Sequence, residues 1–188
     1  MPRYHELVDD RYHPGRWHLR SPVDERGQKL NPWQFFEGRG LEAQGLIRFP
    51  VRPDGVELDF SWAAFSIPVV SLRFVQLLER LGLQQEVQFL PVEVEGHPGP
   101  WFILNTLRTL RCIDDTRCEE VQYFEPKDGQ PDKVGKYKFI AGLRIDPAKA
   151  AGAHLFRPWG WTGALLVSED LKHSLEREAM TGTRFTEA

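Results

Sequence analysis

Cysteine is scarce in this sequence. Only Cys112 and Cys118 occur among 188 residues. That is too few for the disulfide framework of a small secreted scaffold, and it points to a cytosolic setting. Two cysteines without neighbouring histidines do not make a tetrahedral zinc site either. Long apolar runs are missing. A membrane-spanning helix needs ~20 consecutive apolar residues, whereas the longest candidate, 62–70, is broken by Ser66 and Pro68. The opening decapeptide MPRYHELVDD has no apolar stretch of signal-peptide length. Nor is there an excess of one charge: 24 Lys and Arg against 27 Asp and Glu leave a net charge of -3. General nucleic-acid binders are as a rule clearly basic. The expectation is a soluble cytoplasmic protein whose partner is neither nucleic acid nor membrane.

The common catalytic and cofactor signatures are missing as well. No GxxxxGK[ST] loop and no GxGxxG stands at a strand–helix junction; Gly38-Arg39-Gly40 is GxG without a following helix. No GxSxG elbow occurs. The six histidines include no pair at the i, i+4 spacing that supports zinc chelation. His13 and His18 lie near Asp9 and Asp10, where a polar, turn-rich surface explains them. The expectation is therefore no catalytic residue, no cofactor and no metal.

Aromatic and apolar residues are plentiful. Apolar residues make up 41% of the chain, with 6 Trp and 12 Phe, which is the composition of a globular chain rather than a disordered one. The length suits one domain over 1–188. The 14 prolines and 16 glycines are spread along the chain and cut it into short elements. Ser71 opens the clearest helix, with Phe74, Leu78 and Leu81 at helical spacing and Gly82 as its stop. Ser168 opens a second, with Glu169 and Asp170 at its positive end and Leu171, Leu175 and Ala179 as its inner face. Tyr4–Asp9 reads as an edge strand. Period-two alternation dominates 87–145, and residues 107–113 and 119–124 read as a hairpin around Asp114-Asp115-Thr116-Arg117. That hairpin would set Cys112 and Cys118 across the turn from one another, as reduced thiols. The fold class is α+β: a mainly antiparallel, twisted sheet with two principal helices packed against it.

Two features suggest a partner surface. Acidic residues gather at Asp114, Asp115, Glu119, Glu120, Glu125, Asp128 and Asp132, offset across that span only by Arg117 and Lys127. Such a run is either a solvated edge that blocks unwanted strand pairing or a patch that steers a basic partner. Trp159 and Trp161 would share one face of an extended segment, and tryptophan is enriched at binding hot spots; it is also simply a core residue.

The order and spacing of several strings carry a resemblance. They include Pro14-Gly15-Arg16-Trp17-His18-Leu19, Asn31-Pro32-Trp33, Ile67-Pro68-Val69-Val70-Ser71 and Trp101-Phe102-Ile103-Leu104-Asn105. Arg111-Cys112-Ile113-Asp114, Phe156-Arg157-Pro158-Trp159-Gly160-Trp161 and Val167-Ser168-Glu169-Asp170-Leu171 extend it. Over its full length the chain resembles the bacterial immunity protein family eleven, whose members accompany polymorphic toxins. The resemblance implies a non-catalytic protein that binds and neutralises a cognate toxin domain inside the producing cell. It brings no catalytic residues with it. The contact residues expected from the sequence are Asp114, Asp115, Glu119, Glu120, Asp128, Trp159 and Trp161. The other classes left open are a regulatory or scaffold binding module and an enzyme with an unrecognised site.

Overall fold

The structure is a computed structural model and describes residues 2–42 and 45–188. In chain order its main elements are β1 (Tyr4–Asp9), β2 (Arg48–Phe49), β3 (Phe60–Ala63), β4 (Ile67–Ser71), α1 (Leu72–Arg80), β5 (Val87–Val94) and β6 (His97–Thr106). These are followed by β7 (Thr109–Leu110), β8 (Glu120–Tyr123), β9 (Tyr137–Ala141), β10 (Leu155–Pro158), β11 (Leu166–Ser168), α2 (Glu169–Arg177) and β12 (Thr183–Glu187). The fold is α+β. The strands form two five-stranded sheets, β12-β1-β11-β10-β7 and β2-β5-β6-β4-β3, and a separate β8–β9 ribbon. Antiparallel neighbours prevail, but the sheets are mixed: β7 runs parallel to β10, and β2 parallel to β5. Both are two-residue strands far in sequence from their partners, with 111–154 between β7 and β10 and 50–86 between β2 and β5, so no tight turn dictates their direction. Among the described residues no helix is long and apolar enough to cross a membrane.

Each sheet contains the same supersecondary unit, although the sequence shows no repeat. Strand β4 leads through Ser71 into α1 and returns as β5, with β6 between the two strands and antiparallel to both. Strand β11 leads through Ser168 into α2 and returns as β12, with β1 between. The chemistry at each helix start is also the same. The serine hydroxyl accepts the backbone N–H three residues on, Phe74 in one and Leu171 in the other, each at 3.2 Å, satisfying an otherwise unpaired donor of the first turn. Residues three and seven after the serine are buried in both: Phe74 and Leu78, Leu171 and Leu175. Each such side chain contributes about 1.5–3 kcal/mol by leaving water. The second helix departs from its expected inner face in its last turn. Ala179 has φ 49 and is exposed, and Met180 enters the core instead.

Alternation along the strands sorts the core. Leu7, Phe60, Val70, Leu104, Leu155 and Val167, from both sheets, pack with Phe74, Leu78, Leu171 and Leu175 from both helices. Their strand neighbours face the other way. Val69 and Ile103 join Trp17, Phe35, Phe49 and Trp101 under the N-terminal loops. Tyr4, Phe156 and Leu166 join Cys112, Ile145 and Ala150. Trp17, Leu19, Phe35, Phe36 and Leu41 of the N-terminal loops thus cover the outer face of one sheet. Gly182 ties the sheets together. It has φ 83, and a Cβ there would collide with the carbonyl oxygen of Phe60, so the chain passes close over β3 only because the residue is glycine.

Two strand expectations need correction. Tyr4–Asp9 is not an edge strand, because Thr183–Glu187 covers its outer side. Residues 107–113 and 119–124 do not pair with each other. Ile113 bridges Ile145, and Asp114 N–H donates to the Arg144 carbonyl at 2.9 Å. Strand β8 pairs instead with β9, Glu120 opposite Ala141. The incoming 137–146 segment takes both partners, so no 107–124 hairpin forms. Cys112 and Cys118 are accordingly free and part company. Cys112 is buried and its thiol is pushed up to about 12 by desolvation. Cys118 Sγ accepts the Arg144 N–H at 3.3 Å.

Candidate functional site

Residues 113–144 include no buried residue. This arm rises from the third core cluster at Ile113 and returns at Ile145. Its first turn is built by Asp114, whose carboxylate accepts the Thr116 hydroxyl at 2.7 Å and the Thr116 N–H at 3.2 Å. The hydroxyl bond is the main reason the Asp114 carboxyl lies below the usual range. Asp115 then points to the tyrosines of the ribbon. It accepts the Tyr137 hydroxyl at 2.7 Å and the Tyr123 hydroxyl. The two rings lie 4.9 Å apart. Burial, then the Asp115 bond, raises the Tyr137 phenol; the Asp115 bond is the main cause of the Tyr123 rise. Both hydroxyls stay protonated at neutral pH and act as fixed donors, so neither is poised as a nucleophile.

The ribbon leans on the turn that carries Trp159. Tyr137 N–H donates to the Gly160 carbonyl at 3.2 Å. Gly160 has φ 82, and a Cβ there would lie 3.1 Å from the Tyr137 ring. Between ribbon and turn is a hollow of about 290 Å³, lined by Arg111, Tyr123, Tyr137, Lys149 and Trp159 among others. The Arg111 guanidinium carbon sits 3.3 Å from the Trp159 ring centroid, a cation–π contact that holds the indole in place. Lys149 reaches Asp146 at 3.6 Å.

The structure brings Trp159 to this hollow, sets Asp115 on the hydroxyls of the two tyrosines that line it, and places the other expected residues elsewhere. Trp159 and Trp161 do not share the face of an extended segment, because the chain turns after Pro158 and Trp161 N–H donates to the Pro158 carbonyl at 3.2 Å. Asp128 lies at the far end of the arm, where it caps a short 3-10 turn by accepting Glu125 N–H at 2.8 Å and pairs with Lys138. The Glu125 N–H bond first, and Lys138 second, hold its carboxyl below the usual range. Glu125 pairs with Lys127. Glu119 and Glu120 are exposed on the ribbon, and Glu120 accepts the Gln122 amide at 2.6 Å.

The acidic run is therefore less acidic in space than in sequence. Strand β9 lays Lys138 beside Asp128, and Arg111 and Lys149 bring positive charge into the hollow. What remains outward is a ribbon edge carrying Glu119 and Glu120, exposed Tyr123, Val134 and Phe139, and at its base the hollow lined by Arg111 and Lys149. Charges of both signs around apolar side chains suit oriented protein recognition. Lys149, Tyr123 and Tyr137 are not legible as site residues, since none belongs to a motif, and Arg111, although part of a string shared with the family, brings no role from it. Another tryptophan, Trp33, lies outside the arm. It is 63% exposed and packs on exposed Phe65 at 5.8 Å.

Among the described residues no group of three His, Cys, Asp or Glu side chains is placed to hold a metal ion. A comparison with curated proteins returns no match. The model of the immunity protein family (Imm11) matches residues 3–188, and on that match, which takes in essentially the whole chain, the protein belongs to this family.

Proposed function

We propose that the protein neutralises a cognate toxin domain by binding it directly, without catalysis and without a cofactor, inside the cell that makes both. The whole chain, 1–188, acts as a single binding domain, and the 113–144 arm is its contact surface. The observation that carries this reading is the arm itself: a long excursion without a buried residue that nevertheless holds Tyr123, Val134 and Phe139 out to solvent. Exposed aromatics on a fixed scaffold are what interface hot spots are made of. Asp114, Asp115 and Asp128 serve the arm by shaping it, through Thr116, the tyrosine pair and the Glu125 cap. Glu119 and Glu120, exposed and without an ion-pair partner among the described residues, are the acids that would steer a basic toxin.

The test is co-expression with the toxin domain encoded beside this protein, scored by growth and co-purification. Rescue with a stable complex is the expected result; continued killing with nothing co-purified would end the immunity reading. Within a rescued complex, Glu119→Lys with Glu120→Lys should slow association about tenfold at low salt and flatten its salt dependence. Association unchanged at low salt would remove the ribbon edge from the interface.

A further inference from the structure

Away from the arm, a hollow of about 450 Å³ opens beside β3, lined by His18, Arg20, Ser21, Lys29, Pro50 and Trp62 among others. Backbone pairing fixes its walls. Leu19 bridges Val51, Arg20 N–H donates to the Pro50 carbonyl at 2.8 Å, and Val23 bridges both Lys29 and Arg48. Arg20 and Lys29 are thereby held on the rim of one concavity.

These two cations differ from several other arginines of the chain. Arg16, Arg39, Arg48, Arg73, Arg80 and Arg108 each meet a carboxylate. Among the described residues Arg20 and Lys29 have no such partner and make no side-chain hydrogen bond or ring contact. No carboxylate lines the hollow. The nearest acids in sequence, Asp24 and Glu25, line a different hollow with Arg26 and Leu30. Asp24 is also engaged with its own turn, accepting Gln28 N–H at 2.8 Å and Arg26 N–H at 2.9 Å. In a chain of net charge -3, two uncompensated cations facing one cavity make a local site of positive potential. Trp62 is half-buried and adds an apolar wall beside the Ser21 donor. The volume falls in the range of small-molecule sites, which combine an apolar wall with a few convergent polar groups.

We propose that this hollow is a binding site for a small organic anion, with a phosphate or carboxylate group seated between Arg20 and Lys29 and a flat apolar part against Trp62. Arginine and lysine both bind either group, arginine through a bidentate fork. The site is separate from the arm and does not depend on the immunity reading.

Titration calorimetry on the full chain at low salt tests it, with AMP as the phosphate-bearing probe, benzoate as the carboxylate-bearing one and adenosine as the uncharged control. AMP, benzoate or both should bind, with adenosine at least tenfold weaker than AMP where AMP binds. Arg20→Glu with Lys29→Glu should weaken binding at least tenfold while leaving the circular dichroism spectrum unchanged, since both side chains are exposed. AMP alone binding identifies the group as phosphate, and benzoate alone identifies it as carboxylate. If neither binds at millimolar concentration, or if the double variant binds as well as the wild type, the site does not exist. Trp62→Phe, which keeps an aromatic wall, should retain binding; its complete loss with the fold intact would also overturn the proposed arrangement.

Discussion

Two residues, one buried and one half-buried, show how single side chains carry this structure. Arg157 is fully buried, with its Nη1 donating to the Thr162 carbonyl at 2.6 Å and the Ala164 carbonyl at 3.3 Å. Its guanidinium carbon lies 4.4 Å from the Phe36 ring centroid. Burial alone pulls its pKa down to about 9. The side chain fixes the turn that follows Trp159 by satisfying carbonyls that would otherwise be orphaned. Arg157→Ala should cost about 3 kcal/mol or more, through the cavity and the lost bonds together, as read by urea denaturation. His97 sits between Glu57, 2.8 Å from Nδ1, and Asp54, 2.6 Å from Nε2, with the Trp17 ring edge-on at 4.7 Å. Burial pulls its pKa down, but the two carboxylate bonds outweigh it and the net shift is upward. A raised histidine pKa stabilises the fold fully below the unfolded value of about 6.5, and that contribution fades as pH rises through the folded value. The same His97 bond holds the Asp54 carboxyl below its usual range, so the pair weakens again when acid protonates Asp54. The stability gap between wild type and His97→Asn should therefore be widest near pH ~5–6 and narrow toward alkaline pH. A gap constant from pH 5 to 9 would show that His97 does not titrate between its carboxylates.

At the scale of elements, the two serine-capped helices are the repeating device. Ser71 also donates to Asp59 at 2.7 Å, and Ser168 engages His154 Nδ1 at 2.8 Å. Each cap is thus wired to a neighbouring segment as well as to its helix. Ser71→Ala and Ser168→Ala should each destabilise the protein by about 1–2 kcal/mol, the upper half of the usual cap range because a second bond is lost with the first. Chemical denaturation of the two variants measures this directly, and a loss below ~0.3 kcal/mol in either would mean its hydroxyl bonds are replaced by water.

Across the whole molecule, one of the links between the sheets runs through a carboxylate. Glu86, between α1 and β5, accepts the N–H groups of His154 at 2.9 Å and Leu155 at 2.7 Å, where β10 begins in the other sheet. Arg108 approaches the same carboxylate at 3.4 Å. Charged hydrogen bonds of this kind are individually stronger than neutral ones. Glu86→Ala should cost about 2–4 kcal/mol and accelerate amide exchange at His154 and Leu155 ahead of strands within either sheet. Uniform acceleration across both sheets would mean that the carboxylate stabilises the molecule without locally pinning β10.

Elements whose signals are local can be read directly from the residues. Ser71 and Ser168 announce helices because a cap acts within three residues, and Phe74, Leu78, Leu171 and Leu175 show their faces by spacing alone. The alternation of 87–94 and the apolar run 101–104 mark two strands for the same reason, and the structure pairs them. Family membership was also legible, since it rests on the order of strings along the whole chain. Pairing was decided only by tertiary structure. Whether Glu120–Tyr123 meets residues 107–113 or 137–141 depends on which segment arrives beside it, and Thr183–Glu187 became a strand only by covering β1. Charge shows the same division. Seven acids between 114 and 132 look like one patch in sequence, yet Lys138 and the Tyr123–Tyr137 pair come from beyond or across the turn to engage Asp128 and Asp115. Local rules fix what a segment is; the neighbours brought by the fold fix what its side chains are left free to bind.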